Sequence, residues 1–422
     1  MLKTLKVSTL DLDIGMYVSA LDRPWLGTPF ITQGFFIENL EEVDLLRQYC
    51  DFVLIDSRRS SMRKKTSQRK LPQVTREAAS KQRPVSERRR VPVEKIFAEH
   101  AISPYTDDSV WEEETPRAKQ ALDSLVHDIG GIFDEVEEGE KLNVVRLRKS
   151  VEPVVDSISR NPDACLWVSR MKQHDKYTYK HSLGASIWAV ALGRQLGLPR
   201  HDLRSLAMGC MLMDVGKLRV DPDLLQADRE LSVDETSELA AHVTHGLDIL
   251  QEGGMINQNV LDIVAHHHER FDGSGYPNGL KNEEIPPFAR IAGVVDTYDA
   301  ITSSRSYAEA VSPSDAIKIL YKARDEAFQA ELVEAFIQAV GIYPAGTLVE
   351  LSSGEVGIVV AEYRTRRLRP KVMILLDARK RRLNTSRIVD LQELAANGNS
   401  ALSIKRSLEP EAYDIDVSQL AI

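Results

Sequence analysis

Between Arg58 and Arg90 the chain carries thirteen lysines and arginines against two acids, Glu77 and Glu87, and almost no large apolar side chain. Such a stretch cannot bury enough apolar surface to offset the entropy of ordering its backbone, so no domain core runs through it. It divides the chain into a short leading piece and a long trailing one, each of which has to find its own core. The stretch carries +11, so with a net charge of −9 the remainder holds −9 − 11 = −20. No aromatic residues interleave the charges to offer bases a stacking surface, so nucleic acid is not the expected partner. The expectation is a basic, disordered linker over residues 58–110, a solvated tether rather than a contact to nucleic acid or anionic lipid.

At 422 residues two or three domains are expected. A hydrophobic content of 43% with 28% charged residues is that of an ordinary soluble protein. No apolar run approaches the ~20 residues of a membrane-spanning helix, and the N-terminus has no signal-peptide pattern. Cys50, Cys165 and Cys210 are odd in number and scattered, which excludes a disulfide framework and points to a reducing, cytoplasmic location.

Residues 1–57 read as a small α+β domain. KTLKVST, GMYVSAL and DFVLID are short branched or alternating runs suited to strands, and NLEEVDLLRQYC suits one helix. Residues 112–160 show apolar residues recurring at three and four, a helical arm that either packs on the next domain or pairs with a second copy in a homodimer. From 165 to 342 the pattern is helical almost throughout, with broad apolar faces ending at glycines. Beyond Tyr343, GTLVELSSGEVGIVVAEY and PKVMILLDA read as a β-hairpin with a third strand, an appendage over 343–422. The fold class is therefore mainly α, flanked by a small α+β domain and a small β appendage.

The chemistry lies in the helical part. Five of the ten histidines fall between His242 and His268, in a chain that also offers His181, Asp214 and the i,i+3 pair Asp296 and Asp299. Imidazoles mixed with carboxylates suit Fe, Mn, Zn or Ni, and two such ions roughly 3.5–4 Å apart make a phosphodiester-cleaving site. A carboxylate can bridge two ions, whereas an imidazole cannot. Isolated histidines such as His127 and His201 are expected to be structural.

The string HHERFDGSGYP, followed by GLKNEEIPPFARI and VVDTYDAITSSRSY and preceded by DVGKL, resembles the HD-GYP family over residues 165–345. The opening LKTLKVSTLDLDIGMYVSAL is similar to a domain of unknown role that commonly precedes such cores. The resemblance implies a helical HD-type fold and hydrolysis of cyclic di-GMP to linear pGpG and on to GMP, with two divalent metal ions, Fe or Mn before Zn or Ni. It implies His181, Asp214, His242, His267, His268 and Asp296 as metal ligands, with Asp214 as the bridge. Lys217 would face the scissile phosphate, Arg305 would hold phosphate oxygens, and Asp299 would sit where a proton reaches the leaving oxygen. Tyr276 and Gly275 would shape a tight turn at the substrate mouth, a loop through which relatives contact diguanylate cyclases. His245 and His266 read as neighbours without a role.

The chain departs from the family pattern at three places. Met213 stands where the name-giving histidine belongs, and a thioether is a soft, neutral ligand poorly suited to these ions. Tyr177 replaces a glutamate that would serve a third ion. SYAEA, with Ala308 and Glu309, replaces a basic pair. Two readings stay open: a phosphodiesterase with reduced activity, or a catalytically degenerate cyclic-dinucleotide receptor or protein-interaction module.

Overall fold

The computed structural model describes residues 4–22, 35–37, 40–56, 91–171, 177–227, 229, 231–303, 310–361, 369–396, 402–410 and 412–415. The basic run 58–90, for which disorder is expected, lies outside them. The chain divides into two units, Met1–Pro92 and Val93–Ile422.

In the first unit, strands β1 (Thr4–Ser8), β2 (Tyr17–Leu21), β3 (Phe35–Phe36) and β4 (Phe52–Asp56) form an antiparallel sheet in the order β1-β4-β2-β3. Strand residues alternate faces. Val53 and Ile55 of β4 therefore share one face and join Val7, Val18 and Leu21 in the core. Helix α1 (Leu40–Tyr49) closes that core with Val43 and Leu46. This is the α+β domain the alternating runs imply.

The second unit opens with a correction to the expected linker, because residues 93–110 are packed rather than free. A single helical turn, α2 (Val93–Ile96), leads to Phe97, which is buried edge-on against Phe288. Further along, the Tyr105 hydroxyl donates to the carbonyl of Leu198 at 2.9 Å. His100 Nδ1 lies 2.6 Å from Asp202 Oδ2. Helices α3 (Trp111–Glu137) and α4 (Val144–Arg160) then pack on each other. They also pack on α5 (Pro162–Met171), α6 (Tyr177–Gln195) and α7 (Arg200–Leu212). The arm is thus part of the helical body. Its fully buried Glu114 accepts from Ser157 Oγ at 2.7 Å and from the Arg160 guanidinium at 2.7 and 2.9 Å, which ties α3 to the end of α4.

The remaining helices are short: α8 (Pro222–Leu225), α9 (Val233–Ala240), α10 (His242–Glu252), α11 (Gln258–His266), α12 (Pro287–Thr302), α13 (Pro313–Lys322) and α14 (Ala330–Val340). Their starts are legible in the residues. Ser232 and Glu235 form a reciprocal capping box at α9, and the Asn257 side chain accepts from Val260 N at α11. Prolines sit at the first turns of α12 and α13, where a missing N–H costs nothing. Helix α6 lies at the centre, packed against α7, α12 and α14, with Trp188, Tyr298 and Phe336 meeting edge to face between them.

The C-terminal part is a five-stranded antiparallel sheet: β5 (Leu348–Leu351), β6 (Val356–Ala361), β7 (Lys371–Leu376), β8 (Arg382–Asp390) and β9 (Ile404–Ser407). Its order is β8-β7-β6-β5-β9. The β5–β6 hairpin and the third strand fall where the sequence places them. Two further strands and a short helix, α15 (Leu391–Ala396), complete it.

Candidate metal centre

Six residues from five separate segments converge. His181 comes from α6, Asp214 from the residue that caps a 3-10 turn (Val215–Arg219), His242 from the start of α10, His267 and His268 from the end of α11, and Asp296 from α12. Contacts run continuously among them. Asp214 Oδ1 lies 3.5 Å from His242 Nε2 and 3.8 Å from His267 Nε2, and Asp214 Oδ2 lies 4.0 Å from His181 Nε2. His181 Nε2 lies 2.8 Å from Asp296 Oδ1, and Asp296 Oδ2 lies 3.9 Å from His268 Nδ1.

Local folding explains the convergence. A Cβ on Gly216 would fall 1.9 Å from the His242 carbonyl oxygen, so only glycine lets the 3-10 turn press Asp214 onto the start of α10. His242 Nδ1–H donates to the Leu239 carbonyl at 2.6 Å, and His267 Nδ1–H donates to those of Val264 and Ile263 at 3.1 and 3.2 Å. Each bond fixes a tautomer and leaves Nε2 with its lone pair directed at Asp214. Burial lowers the His242 pKa to about 4. Burial and the neighbouring His267 lower that of His268 to about 2. Both rings are therefore neutral, the form that binds a cation. Burial opposes the charge on Asp214, but the Lys217 ammonium, 2.6 Å from Oδ2, holds its carboxyl well below the usual range.

His181 is held differently. Its Nε2 meets Asp296, and its Nδ1 lies 2.9 Å from Asp299 Oδ2. Burial works against a charged ring, but the two carboxylates prevail and raise its pKa to about 10. Asp299, expected from the sequence at the leaving oxygen, lies beside this ring. Its Oδ2 faces His181, and its Oδ1 accepts from Trp188 Nε1 at 3.2 Å. A Cβ on Gly184 would lie 2.2 Å from Oδ1. Both oxygens of Asp299 thus have partners, His181 and Trp188. His181, Gly184 and Trp188 lie at i, i+3 and i+7 on one face of α6.

Tyr276 stacks on His268 with ring centroids 4.6 Å apart and is 37% exposed, so it sits between the centre and solvent. Gly275 does not project into the site. A Cβ there would fall 2.4 Å from both Arg270 N and His268 O, so its bareness lets the loop fold back on its own start. One residue of this loop escapes a reading of the sequence. Glu269, buried, accepts from the backbone N–H groups of Asn278 at 2.7 Å and Leu280 at 3.0 Å, closing the loop like a clasp. A charged residue inside an otherwise histidine-rich buried string was the available signal. Met213 is fully buried at the end of α7. Arg305, Ala308 and Glu309 and the Tyr177 side chain lie outside the described residues.

The donor set fits a metal ion. Ligand atoms of Asp214, His242, His267 and His268 all lie within 4.8 Å of one another. Asp214 Oδ1, His242 Nε2 and His267 Nε2 are buried without a hydrogen-bond partner. Buried polar atoms left unsatisfied cost about 1–3 kcal/mol each, and a shared cation removes that cost. Three imidazoles and a carboxylate suit a borderline ion such as Fe, Mn, Zn or Ni.

Comparison with known proteins matches three parts of the chain. Residues 164–332 match the HD domain, residues 4–147 a domain of unknown function (DUF3391), and residues 348–415 a KOW domain associated with the HD domain. The chain is 31% identical to the cyclic di-GMP phosphodiesterase PA4108 of Pseudomonas aeruginosa, over 93% of this chain and 89% of that protein. It is also 31% identical to the cyclic di-GMP phosphodiesterase response regulator RpfG of Xanthomonas campestris, over 54% of this chain and 55% of that one. Among solved structures, Bd1817, an HDG"Y"P protein from Bdellovibrio bacteriovorus, matches 79% of this chain and 98% of its own, with a TM-score of 0.45 and 16% identity. No helix among the described residues is long and apolar enough to cross a membrane.

Proposed function

The chain belongs to the HD-GYP family of HD-domain proteins, and on that footing we propose that it is a metal-dependent phosphodiesterase that opens cyclic di-GMP to linear pGpG. The observation that carries this reading is the set of unpartnered buried donors on Asp214, His242 and His267, beside His268. A divalent ion held there would polarise a phosphoryl oxygen and lower the pKa of water near neutral pH. Ligand atoms of Asp214, His242, His267 and His268, within 4.8 Å of one another, would hold that ion.

In the reaction, water adds to phosphorus, the bond from phosphorus to the 3′ oxygen breaks, and that oxygen leaves with a proton. The product ends in a 5′ phosphate and a 3′ hydroxyl. A second hydrolysis of the same kind gives GMP. Lys217, part-exposed beside Asp214, places a positive charge where negative charge grows on the phosphate. Asp299 and Trp188 keep the His181 ring fixed, and Tyr276 covers His268 on the outer side. Its exposed edge also gives diguanylate cyclases a contact surface on the GYP loop.

A second reading, a receptor that binds the nucleotide without cleaving it, is favoured by one observation, the buried Met213 in the place of an imidazole. One experiment separates the two. Protein loaded with Fe(II) or Mn(II) under anaerobic conditions and incubated with cyclic di-GMP should yield pGpG by chromatography, and chelation should stop it. Intact nucleotide bound at micromolar affinity with no product would support the receptor instead.

A further inference from the structure

The donors in this centre are unequally available to cations. Asp214 Oδ1, His242 Nε2 and His267 Nε2 have no partner, and with His268 they make one compact set. Around His181 most donors are already engaged, Asp296 Oδ2 excepted, which lies 3.9 Å from His268 Nδ1. Asp214 Oδ2, the oxygen a second ion would share, lies 2.6 Å from the Lys217 ammonium. His181 spends Nε2 on Asp296 at 2.8 Å and Nδ1 on Asp299 at 2.9 Å, and Asp299 is itself pinned by Trp188. Met213, which directly precedes Asp214, is fully buried and offers only a thioether, a soft neutral donor.

We infer that this chain holds one divalent ion, on Asp214, His242, His267 and His268, and that the Lys217 ammonium takes the place of a second. A carboxylate with one oxygen on a metal ion and the other on an ammonium is balanced much as a carboxylate shared by two ions would be. The ammonium comes from the chain itself, three residues after the aspartate, so it is present at fixed stoichiometry. The inferred centre is mononuclear with a built-in cation, where the family resemblance implies two ions.

The inference rests on the cluster being a metal site, as the proposed function requires, and its test reads metal content rather than turnover. Full-length protein is stripped with chelator, reloaded with Mn(II), desalted and analysed for metal per chain. One ion per chain is expected. His181→Ala and Asp296→Asn are expected to keep that ion, and His267→Ala to lose it, with far-UV circular dichroism confirming folded protein. The double variant Met213→His with Lys217→Met, which supplies an imidazole and removes the ammonium, is expected to rise to two. Two firmly held ions in the unaltered protein, no ion at all, loss of the ion in Asp296→Asn, or a double variant that stays at one would overturn the inference. One ion without hydrolysis of cyclic di-GMP would defeat the proposed function alone. Two ions with hydrolysis would defeat the mononuclear centre alone.

Discussion

His267 donates its Nδ1–H to the carbonyl oxygen of Val264, three residues earlier, at 3.1 Å. That bond is local, yet it decides the chemistry of the opposite nitrogen, which has to carry a lone pair. It points that lone pair toward Asp214, 3.8 Å away in another segment. His242 repeats the device through Leu239. The cluster is thus assembled from tautomers set by helix backbone. His267→Ala is expected to lower cyclic di-GMP turnover by at least about 100-fold, more than the loss of an outer-shell partner. Steady-state kinetics on the metal-loaded variant checks this.

As a positioning chain, Trp188–Asp299–His181 is expected to hold the ring that faces Asp296. Trp188→Phe removes the indole donor and leaves Asp299 Oδ1 buried without it. Loss of such a supporting contact is expected to cost about 10–100-fold in kcat. KM should change little, because Trp188 is buried away from solvent. A change confined to KM would contradict the positioning role, and Asp299→Asn should repeat the kcat effect.

The loop carrying Tyr276 depends on Glu269. Glu269→Gln keeps the size but turns an amide NH2 toward one of two backbone N–H donors, at Asn278 or Leu280. Hydrogen bonds to charged groups are worth about 1.5–3 kcal/mol. A stability loss of about 1–3 kcal/mol is expected by urea denaturation. Limited proteolysis should cut this loop faster in the variant.

Glu114 makes a pH-dependent contribution remote from the centre. Burial tends to raise its pKa, but the bonds from Arg160 and Ser157 outweigh that and leave it below the ordinary glutamate value. A depressed carboxyl stabilises the fold above its unfolded pKa, about 4.3, and that contribution fades as pH falls through the lower, folded value. Removing one partner of a fully buried pair costs about 3–5 kcal/mol. Arg160 is 34% exposed, so water takes up part of the penalty, and Glu114→Ala is expected to cost about 2–3 kcal/mol at neutral pH. The variant should lose less stability than the unaltered protein between pH 5 and 3, measured by thermal unfolding.

Much of the centre was readable because its parts lie in short strings whose residue types admit few other uses. His267 and His268 are consecutive, and Asp296 and Asp299 share a helix face. The spacing could not say which partner each carboxylate meets. Asp299 reads like a second reactive group, and only the approach of α6, permitted by Gly184 and completed by Trp188, shows both its oxygens occupied. The segment over 93–110 reads as linker because its apolar residues, Ile96, Phe97 and Ile102 among them, keep no period long enough to mark an element. Its order rests on long-range contacts, Phe97 on Phe288 and Tyr105 on Leu198, which leave no local periodicity. The last strand of the C-terminal sheet, β9, alternates weakly and pairs with β5 more than fifty residues earlier, so only tertiary structure reveals it.

X-ray absorption at the metal edge of Mn- or Zn-loaded protein tests most directly whether these histidines hold a cation. The expected spectrum shows a mixed nitrogen and oxygen shell, with the outer-shell scattering of about three imidazoles. That scattering should fall in His242→Ala and persist in His181→Ala. A shell of water and carboxylate oxygens with no imidazole signature would contradict the metal centre.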